Sequence, residues 1–141
     1  MKLLKTSIAF AISSALLIGC SSDTDYVQPE EVKIATYNLS FDRATFEDLV
    51  TEMQIEPSAQ TKLVTDYLDN TIDDADKVTA AKVIQIRNVA AVIQKNRPDV
   101  LMMAEFNNDG TGTDKSALEG FQENYLSVAQ SIEGAGGDAN L

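Results

Sequence analysis

The sequence predicts an α/β fold, in the broad sense that includes α+β, behind an N-terminal export segment. Two short apolar runs, residues 32–38 and residues 99–105, are typical of buried strands. A longer stretch between them, at about residues 76–96, repeats apolar residues every three or four positions, as an amphipathic helix does. A helical crossover between two strands predicts that they lie parallel in one sheet.

The first element along the chain is predicted to be a bacterial export signal. Lys2 and Lys5 precede an apolar run of eleven residues, 8–18, which is shorter than the roughly 20 residues that span a bilayer. The run closes with Leu-Ile-Gly-Cys, ending at Cys20, and this resembles the lipobox of bacterial lipoproteins. The resemblance implies that residues 1–19 are removed as a signal peptide and that Cys20 is lipidated. A short buried helix with an unrelated cysteine is the alternative.

A lipidated cysteine implies a membrane anchor. Acyl chains on Cys20 would hold the protein to a membrane, since each buried CH₂ contributes about 0.8 kcal/mol. Ser21 stands where an Asp favours inner-membrane retention in many Gram-negative lipoproteins, so we expect a cell-envelope protein in the outer membrane rather than the inner one. Residues 20–31 are polar, contain Pro29 and lack periodicity, which predicts a flexible tether before a domain in residues 32–141.

Charge and composition exclude several classes of function. The chain holds 22 Asp and Glu against 11 Lys and Arg, and the loss of residues 1–19 with their two lysines would change the formal net charge from −11 to −13. Such a surface repels phosphate backbones, so we do not expect nucleic acid as a partner. The sequence has no histidine and one cysteine, which excludes His-ligated zinc sites, Ser-His nucleophiles and an internal disulfide within it.

The remaining elements follow from periodicity and turn residues. Both predicted strands carry apolar side chains on both faces, and strands of this composition are expected to be covered on both sides. Residues 45–68 are predicted to form two helical segments separated by Pro57. Residues 107–113 are predicted to form a turn-rich loop, whose acids and those of residues 69–76 serve turns and helix caps, and residues 118–132 a final helix.

A polar residue that suits a metal ion ends each predicted strand. Asn38 ends the first strand and Glu105 ends the second. Parallel neighbours lie about 4.8 Å apart and bring their carboxyl ends together, so the two side chains are placed to converge on one ion. Amide and carboxylate oxygens suit a hard cation such as Mg²⁺, which takes few protein ligands and keeps several waters.

The two strands together resemble a known superfamily. Residues 34–38 (IATYN), Arg87 in the helix, and residues 97–105 (RPDVLMMAE) are similar to the opening of the endonuclease/exonuclease/phosphatase superfamily, the deoxyribonuclease-I-like proteins. The resemblance covers about residues 32–106. It implies that Glu105 ligates the catalytic metal and that Asn38 helps to set the metal and phosphate site, so that both are catalytic residues.

The resemblance also implies a fold, a reaction and a cofactor. The fold is the N-terminal part of a four-layer α/β sandwich, and the reaction is hydrolysis of a phosphate ester by metal-activated water. The cofactor is Mg²⁺ or another divalent cation such as Mn²⁺ or Ca²⁺. The acidic chain favours small phosphate esters or lipid headgroups over polymeric nucleic acid as substrates.

Three departures from the family pattern shape these expectations. Ala104 stands where the family has Gln before its glutamate, and the segment between Asn38 and the main helix is longer than in compact members. The family's later Asp-x-Asn motif and closing Asp-His pair are missing, so we expect a truncated member that is inactive alone.

Simpler interpretations remain open beside this one. Asn38 is also an ordinary strand-end turn residue, and Glu105 an ordinary solvated acid. The alternative function is a non-catalytic envelope lipoprotein whose α/β domain binds a partner or ligand, and a gene fragment without function is a third possibility.

Overall fold

A computed structural model describes residues 31–132 of the chain. The export signal, Cys20 and nearly all of the tether lie outside these residues, as does the glycine-rich stretch after position 132. The described elements, in chain order, are β1 (Ile34–Phe41), α1 (Phe46–Met53), α2 (Pro57–Leu68), α3 (Lys77–Asn96), β2 (Val100–Phe106), α4 (Ser116–Phe121) and a π-helical segment (Gln122–Leu126). The structure is therefore mixed α and β, as predicted at the level of fold class.

The two strands form a two-stranded parallel sheet. Ile34 pairs with Val100, and the register continues to Asn38 opposite Ala104. The predicted parallel arrangement is confirmed. Both strands extend further toward their carboxyl ends than predicted, by three residues in β1 and by one in β2. The longer β1 follows from packing, because it places Leu39 and Phe41 in the core.

Only one face of this sheet is covered, which corrects the expectation of two-sided burial. The inner face carries Leu39 and Phe41, both buried, while on the outer face Ile34 is 69% exposed and Met102 is 62% exposed. The apolar residues of the outer face predict burial, but no element of the described chain packs over them. The sheet therefore has one covered face and one exposed face, although its strands carry apolar residues on both faces.

Helix α3 covers the inner face of the sheet. Its apolar stripe is buried and packs with β1, α1, α4 and the π-helical segment into one core: Leu39, Phe41, Leu49, Met53, Ile86, Val89, Ala90, Ala117, Phe121 and Tyr125. Phe121 meets Phe41 edge to face, with ring centroids 5.6 Å apart, a geometry that aromatic pairs prefer. The predicted helix at residues 76–96 is confirmed as α3, one residue shorter at its start.

The predicted split of residues 45–68 at Pro57 is also confirmed. Thr45 begins α1 with a capping box, because its hydroxyl accepts from the amide of Asp48 and the Asp48 carboxylate accepts from the amide of Thr45. Pro57 occupies the first position of α2, where its lack of an N–H breaks no helical hydrogen bond.

The final helix predicted at residues 118–132 is wrong in extent. Helix α4 starts at Ser116, widens into the π-helical segment and stops at Leu126. The Gln94 side chain of α3 donates to the carbonyls of Leu126, at 2.9 Å, and Val128, at 2.7 Å. These two carbonyls are therefore paired with a side chain of α3 and not with a further turn of helix. Across residues 31–132, none of the helices combines the length and apolarity needed to cross a bilayer.

Candidate functional site

The candidate site lies at the carboxyl ends of β1 and β2, where the sheet ladder becomes irregular. After Asn38 opposite Ala104, the next pair in register is Phe41 opposite Phe106. Two residues of β1, Leu39 and Ser40, therefore face one residue of β2, Glu105, as in a β-bulge. Asn38 borders this irregularity and Glu105 lies within it, so regular strand pairing does not by itself set their relative position.

Asn38 is exposed on the outer face of the sheet. Its side-chain oxygen accepts a hydrogen bond from the backbone N–H of Ser40 at 2.9 Å, and the Ser40 hydroxyl lies 3.4 Å away. This local bond fixes the orientation of the carboxamide. An amide oxygen has two lone pairs, and the Ser40 hydroxyl donates to the second at the longer distance, so a cation at Asn38 would replace this weaker contact.

Glu105 adopts a backbone conformation that is unusual for its residue type. Its φ angle is +53°, in the left-handed region, and Ser40 opposite has φ +55°. The turn interrupts the alternation of β2, because Glu105 is exposed and the next residue, Phe106, packs against the core. Left-handed conformations of non-glycine residues cost free energy and concentrate at functional sites. In this structure, the residue with this conformational cost carries an exposed carboxylate near the carboxyl end of β2.

A buried arginine organises the loop that follows β1. The Arg43 side chain is 4% exposed, and its Nε donates to the Glu52 carboxylate at 2.6 Å. Its Nη2 donates to the Gln85 side-chain oxygen at 3.1 Å, and its Nη1 to the Ser40 carbonyl at 3.3 Å. The guanidinium lies over the Phe41 ring, 5.8 Å from its centroid. Removing one partner of a buried ion pair of this kind strongly destabilises a protein, because it leaves the other charge buried and uncompensated.

Asn107 connects the ends of the two strands. Its side-chain oxygen accepts from the backbone N–H of Arg43 at 2.6 Å, and its side-chain nitrogen donates to the Arg43 carbonyl at 3.2 Å and reaches the Asp42 carboxylate at 3.5 Å. Asn107 lies two residues after Glu105 and is half-buried. It was predicted to belong to a solvated turn, whereas the structure gives it long-range bonds.

The rest of the loop after β2 behaves as predicted from its turn residues. The Asp109 carboxylate accepts from the amides of Thr111, Gly112 and Asp114. The Thr111 hydroxyl, followed by these backbone amides, holds the pKa of the Asp109 carboxyl well below its usual range. These bonds close the loop on itself, and the acids in it are accounted for as turn formers.

The oxygen donors of Asn38 and Glu105 are of the kind that a magnesium-type cation prefers. Both side chains are exposed and lie on neighbouring strands, but the residue in register with Asn38 is Ala104, and Glu105 lies one position further along β2. Over the range 31–132 there is no grouping of three or more His, Cys, Asp or Glu side chains that would hold a metal by itself. A cation at this site would accordingly retain most of its water ligands.

Sequence reasoning proposed Asn38 and Glu105, whose role as ligands stays a prediction, and did not single out the residues whose hydrogen bonds surround them. Arg43, Gln85 and Asn107 gave little signal, because their roles depend on contacts between positions 42 to 64 residues apart. One available signal was that Arg43 is a cation five residues after the predicted first strand in a strongly acidic chain.

Comparison of the chain with protein-family models, curated proteins and solved structures gives no significant match.

Proposed function

We propose that the protein is an envelope lipoprotein carrying the first part of a divalent-cation-dependent phosphoesterase site. Asn38 and Glu105 hold the cation, which is Mg²⁺ or a similar ion such as Mn²⁺ or Ca²⁺. The observation that supports this most directly is the geometry at the strand ends. An exposed amide and an exposed carboxylate lie near the carboxyl ends of two parallel neighbours, and the carboxylate stands on a backbone with positive φ.

The implied reaction is hydrolysis of a phosphate ester. A bound divalent cation supplies Lewis-acid stabilisation of a phosphoryl oxygen and lowers the pKa of bound water. Asn38 and Glu105 orient that cation at the open edge of the sheet. The acidic surface favours small phosphate esters or lipid headgroups as substrates, because it repels polyanionic nucleic acid.

The proposed whole protein is anchored by lipid on Cys20, in the outer membrane. Its sheet is the first of the two that pack together in a four-layer α/β sandwich of the endonuclease/exonuclease/phosphatase type. The exposed outer face, with Ile34 and Met102, supports this arrangement, because a second sheet would bury it.

Metal binding tests the proposal most directly. The full-length chain with Cys20→Ser, solubilised in detergent, is titrated with Mn²⁺ while free Mn²⁺ is followed by electron paramagnetic resonance. We expect one site whose affinity falls by about tenfold or more in Glu105→Gln and in Asn38→Ala, because each change removes an oxygen ligand.

The matched control for this titration is Glu123→Gln. It removes the same charge from another exposed glutamate, in the π-helical segment, and corrects for weak adsorption of cations to an acidic surface. A chain without a Mn²⁺ site, or an equal loss in Glu105→Gln and Glu123→Gln, contradicts the proposal. That result would favour the alternative of a non-catalytic lipoprotein.

We expect no measurable phosphoesterase activity from this chain alone. The candidate site offers two oxygen ligands, and the chain has no histidine to support a phosphoryl group. The assay is hydrolysis of a chromogenic phosphate diester with Mg²⁺ or Mn²⁺ present. Robust metal-dependent turnover that is lost in Glu105→Ala would overturn this expectation.

A further inference from the structure

We infer that Asn107 is a positioning residue for the proposed cation site, acting with Arg43 and Gln85 to set the separation of Asn38 and Glu105. These three residues are termed the strand-end bracket. The inference rests on the proposed function and extends it to residues that do not themselves touch the cation.

The need for such a bracket arises from the irregular ladder. Regular parallel pairing fixes neighbouring residues through evenly spaced backbone hydrogen bonds. Between the pair Asn38–Ala104 and the pair Phe41–Phe106 that regularity is lost, and Ser40 and Glu105 both have positive φ. The two ligands lie at the start and in the middle of this stretch. The pairs on either side leave Ser40 and Glu105 outside the regular register, where contacts from other parts of the chain contribute to their placement.

Asn107 supplies the direct link between the two chain segments. Its carboxamide pairs with both backbone groups of Arg43, accepting from the N–H at 2.6 Å and donating to the carbonyl at 3.2 Å. This two-point contact resembles the pairing of two residues in a sheet, and it lies just beyond Phe41 and Phe106, the last pair in register. Because Asn107 is two residues from Glu105, it ties the Glu105 turn to the loop after β1.

Arg43 and Gln85 carry this restraint back to Asn38. The Ser40 carbonyl accepts from Gln85 Nε2 at 2.8 Å and from Arg43 Nη1 at 3.3 Å. The Ser40 amide in turn donates to the Asn38 side-chain oxygen at 2.9 Å. Hydrogen bonds and the intervening residues Arg43 and Ser40 thus link Asn107, two positions after Glu105, to the carboxamide of Asn38. Gln85 lies on α3, so the bracket is attached to the most extensive helix of the core.

If the bracket positions the ligands, substitutions in it should lower the affinity for the cation although both Asn38 and Glu105 are still present. In the same Cys20→Ser chain and Mn²⁺ titration, we expect Asn107→Ala to lower affinity by about tenfold, the range typical for residues that orient metal ligands. The matched control is Asn108→Ala, because Asn108 is the next residue and its side chain bonds only locally, to the amide of Gly110 at 2.7 Å. Asn108→Ala should leave affinity unchanged.

A second variant keeps the test decisive if Asn107→Ala does not fold. Gln85→Met preserves side-chain length but removes the donor to the Ser40 carbonyl, so it disturbs the bracket from the helix side. We expect it to reduce Mn²⁺ affinity, at a temperature where circular dichroism shows that the chain is folded. A purely structural role would change the unfolding midpoint and leave the affinity of the folded chain as it was.

The outcomes separate this inference from the proposed function. If the unchanged chain binds Mn²⁺ and Glu105→Gln weakens it, but the folded bracket variants bind normally, the bracket is overturned and the proposed function stands. If the unchanged chain has no Mn²⁺ site, both are overturned. Loss of affinity in folded Asn107→Ala or Gln85→Met, with Asn108→Ala unchanged, supports the bracket.

Discussion

At the scale of single residues, Glu105 joins the stability of the chain to its proposed chemistry. A non-glycine residue in the left-handed region costs about 1–2 kcal/mol relative to ordinary backbone. Glu105 accepts this conformation while its side chain is exposed and Phe106 takes the place in the core. No feature of the sequence around Glu105 signals a positive φ. The break in the alternation of exposed and core-facing side chains at this residue could therefore not be predicted from the sequence pattern. Selection for stability alone would favour glycine here.

Substitutions at Glu105 are expected to reverse the usual order of strand preference. Glu105→Gly should leave the free energy of unfolding within about 0.5 kcal/mol of the unchanged chain or raise it, because relief of strain offsets the added entropy of the unfolded state. Glu105→Val should lower it by about 1–2 kcal/mol, since a β-branched residue tolerates positive φ poorly. Urea denaturation followed by circular dichroism measures both.

The same two substitutions at Ala104 provide the control. Ala104 is in register with Asn38 and is not among the residues with positive φ. There valine is expected to be neutral or better than glycine. If valine is tolerated better than glycine at position 105 as well, the left-handed turn is not a property of the folded chain.

At the scale of elements, close approach between α4 and the end of α1 determines how the C-terminal part of the described chain packs. A Cβ atom added at Gly120 would lie 2.7 Å from the Met53 carbonyl oxygen and 3.0 Å from its carbonyl carbon. That same carbonyl accepts from the Asn124 side chain at 2.9 Å, so it has little freedom to move. The Tyr125 hydroxyl also donates to the adjacent Glu52 carbonyl at 2.7 Å, and burial raises the pKa of this phenol far above its usual value.

Gly120→Ala tests this contact. Alanine favours helix over glycine by about 1 kcal/mol, but a backbone overlap of this size costs about 1–3 kcal/mol. The overlap should prevail because the atoms it meets belong to the backbone, and we expect the free energy of unfolding to fall by about 1–2 kcal/mol. The neighbouring exposed residue serves as control, with Glu119→Ala expected to change stability by less than about 0.5 kcal/mol. A stabilised Gly120→Ala chain would show that α4 lies further from α1.

At the scale of the whole described chain, the sequence predicted the elements better than their surroundings. Apolar runs identified both strands, and apolar residues repeated every three or four positions identified α3. These patterns follow from the local geometry of strands and helices. They failed where long-range contacts decide the outcome. The outer face of the sheet is apolar yet exposed, and the helix predicted to reach position 132 ends at Leu126, where Gln94 binds the free carbonyls. For the candidate site, the strand pattern proposed Asn38 and Glu105, whose role stays a prediction. The hydrogen bonds that Arg43 makes with Asn107 and Gln85 join positions that no local pattern relates.

The exposed outer face should make this chain associate with itself. One face of the sheet exposes three apolar side chains: Ile34 at 69%, Val100 at 48% and Met102 at 62%. Within residues 31–132 the sheet has two strands, so both of its edges are open in this part of the chain. An apolar face beside unpaired strand edges is a template for further strands. We expect the chain to bind the dye anilinonaphthalene sulfonate and to form oligomers in light scattering, both increasing with protein concentration.

The double variant Ile34→Thr with Met102→Thr should reduce both signals while keeping the circular dichroism spectrum, because threonine preserves strand propensity and removes apolar area. Val78→Thr removes a valine that is equally exposed but lies on α3, and it should leave both signals unchanged. Equal effects of the sheet and helix variants would show that association depends on total apolar exposure and not on the sheet.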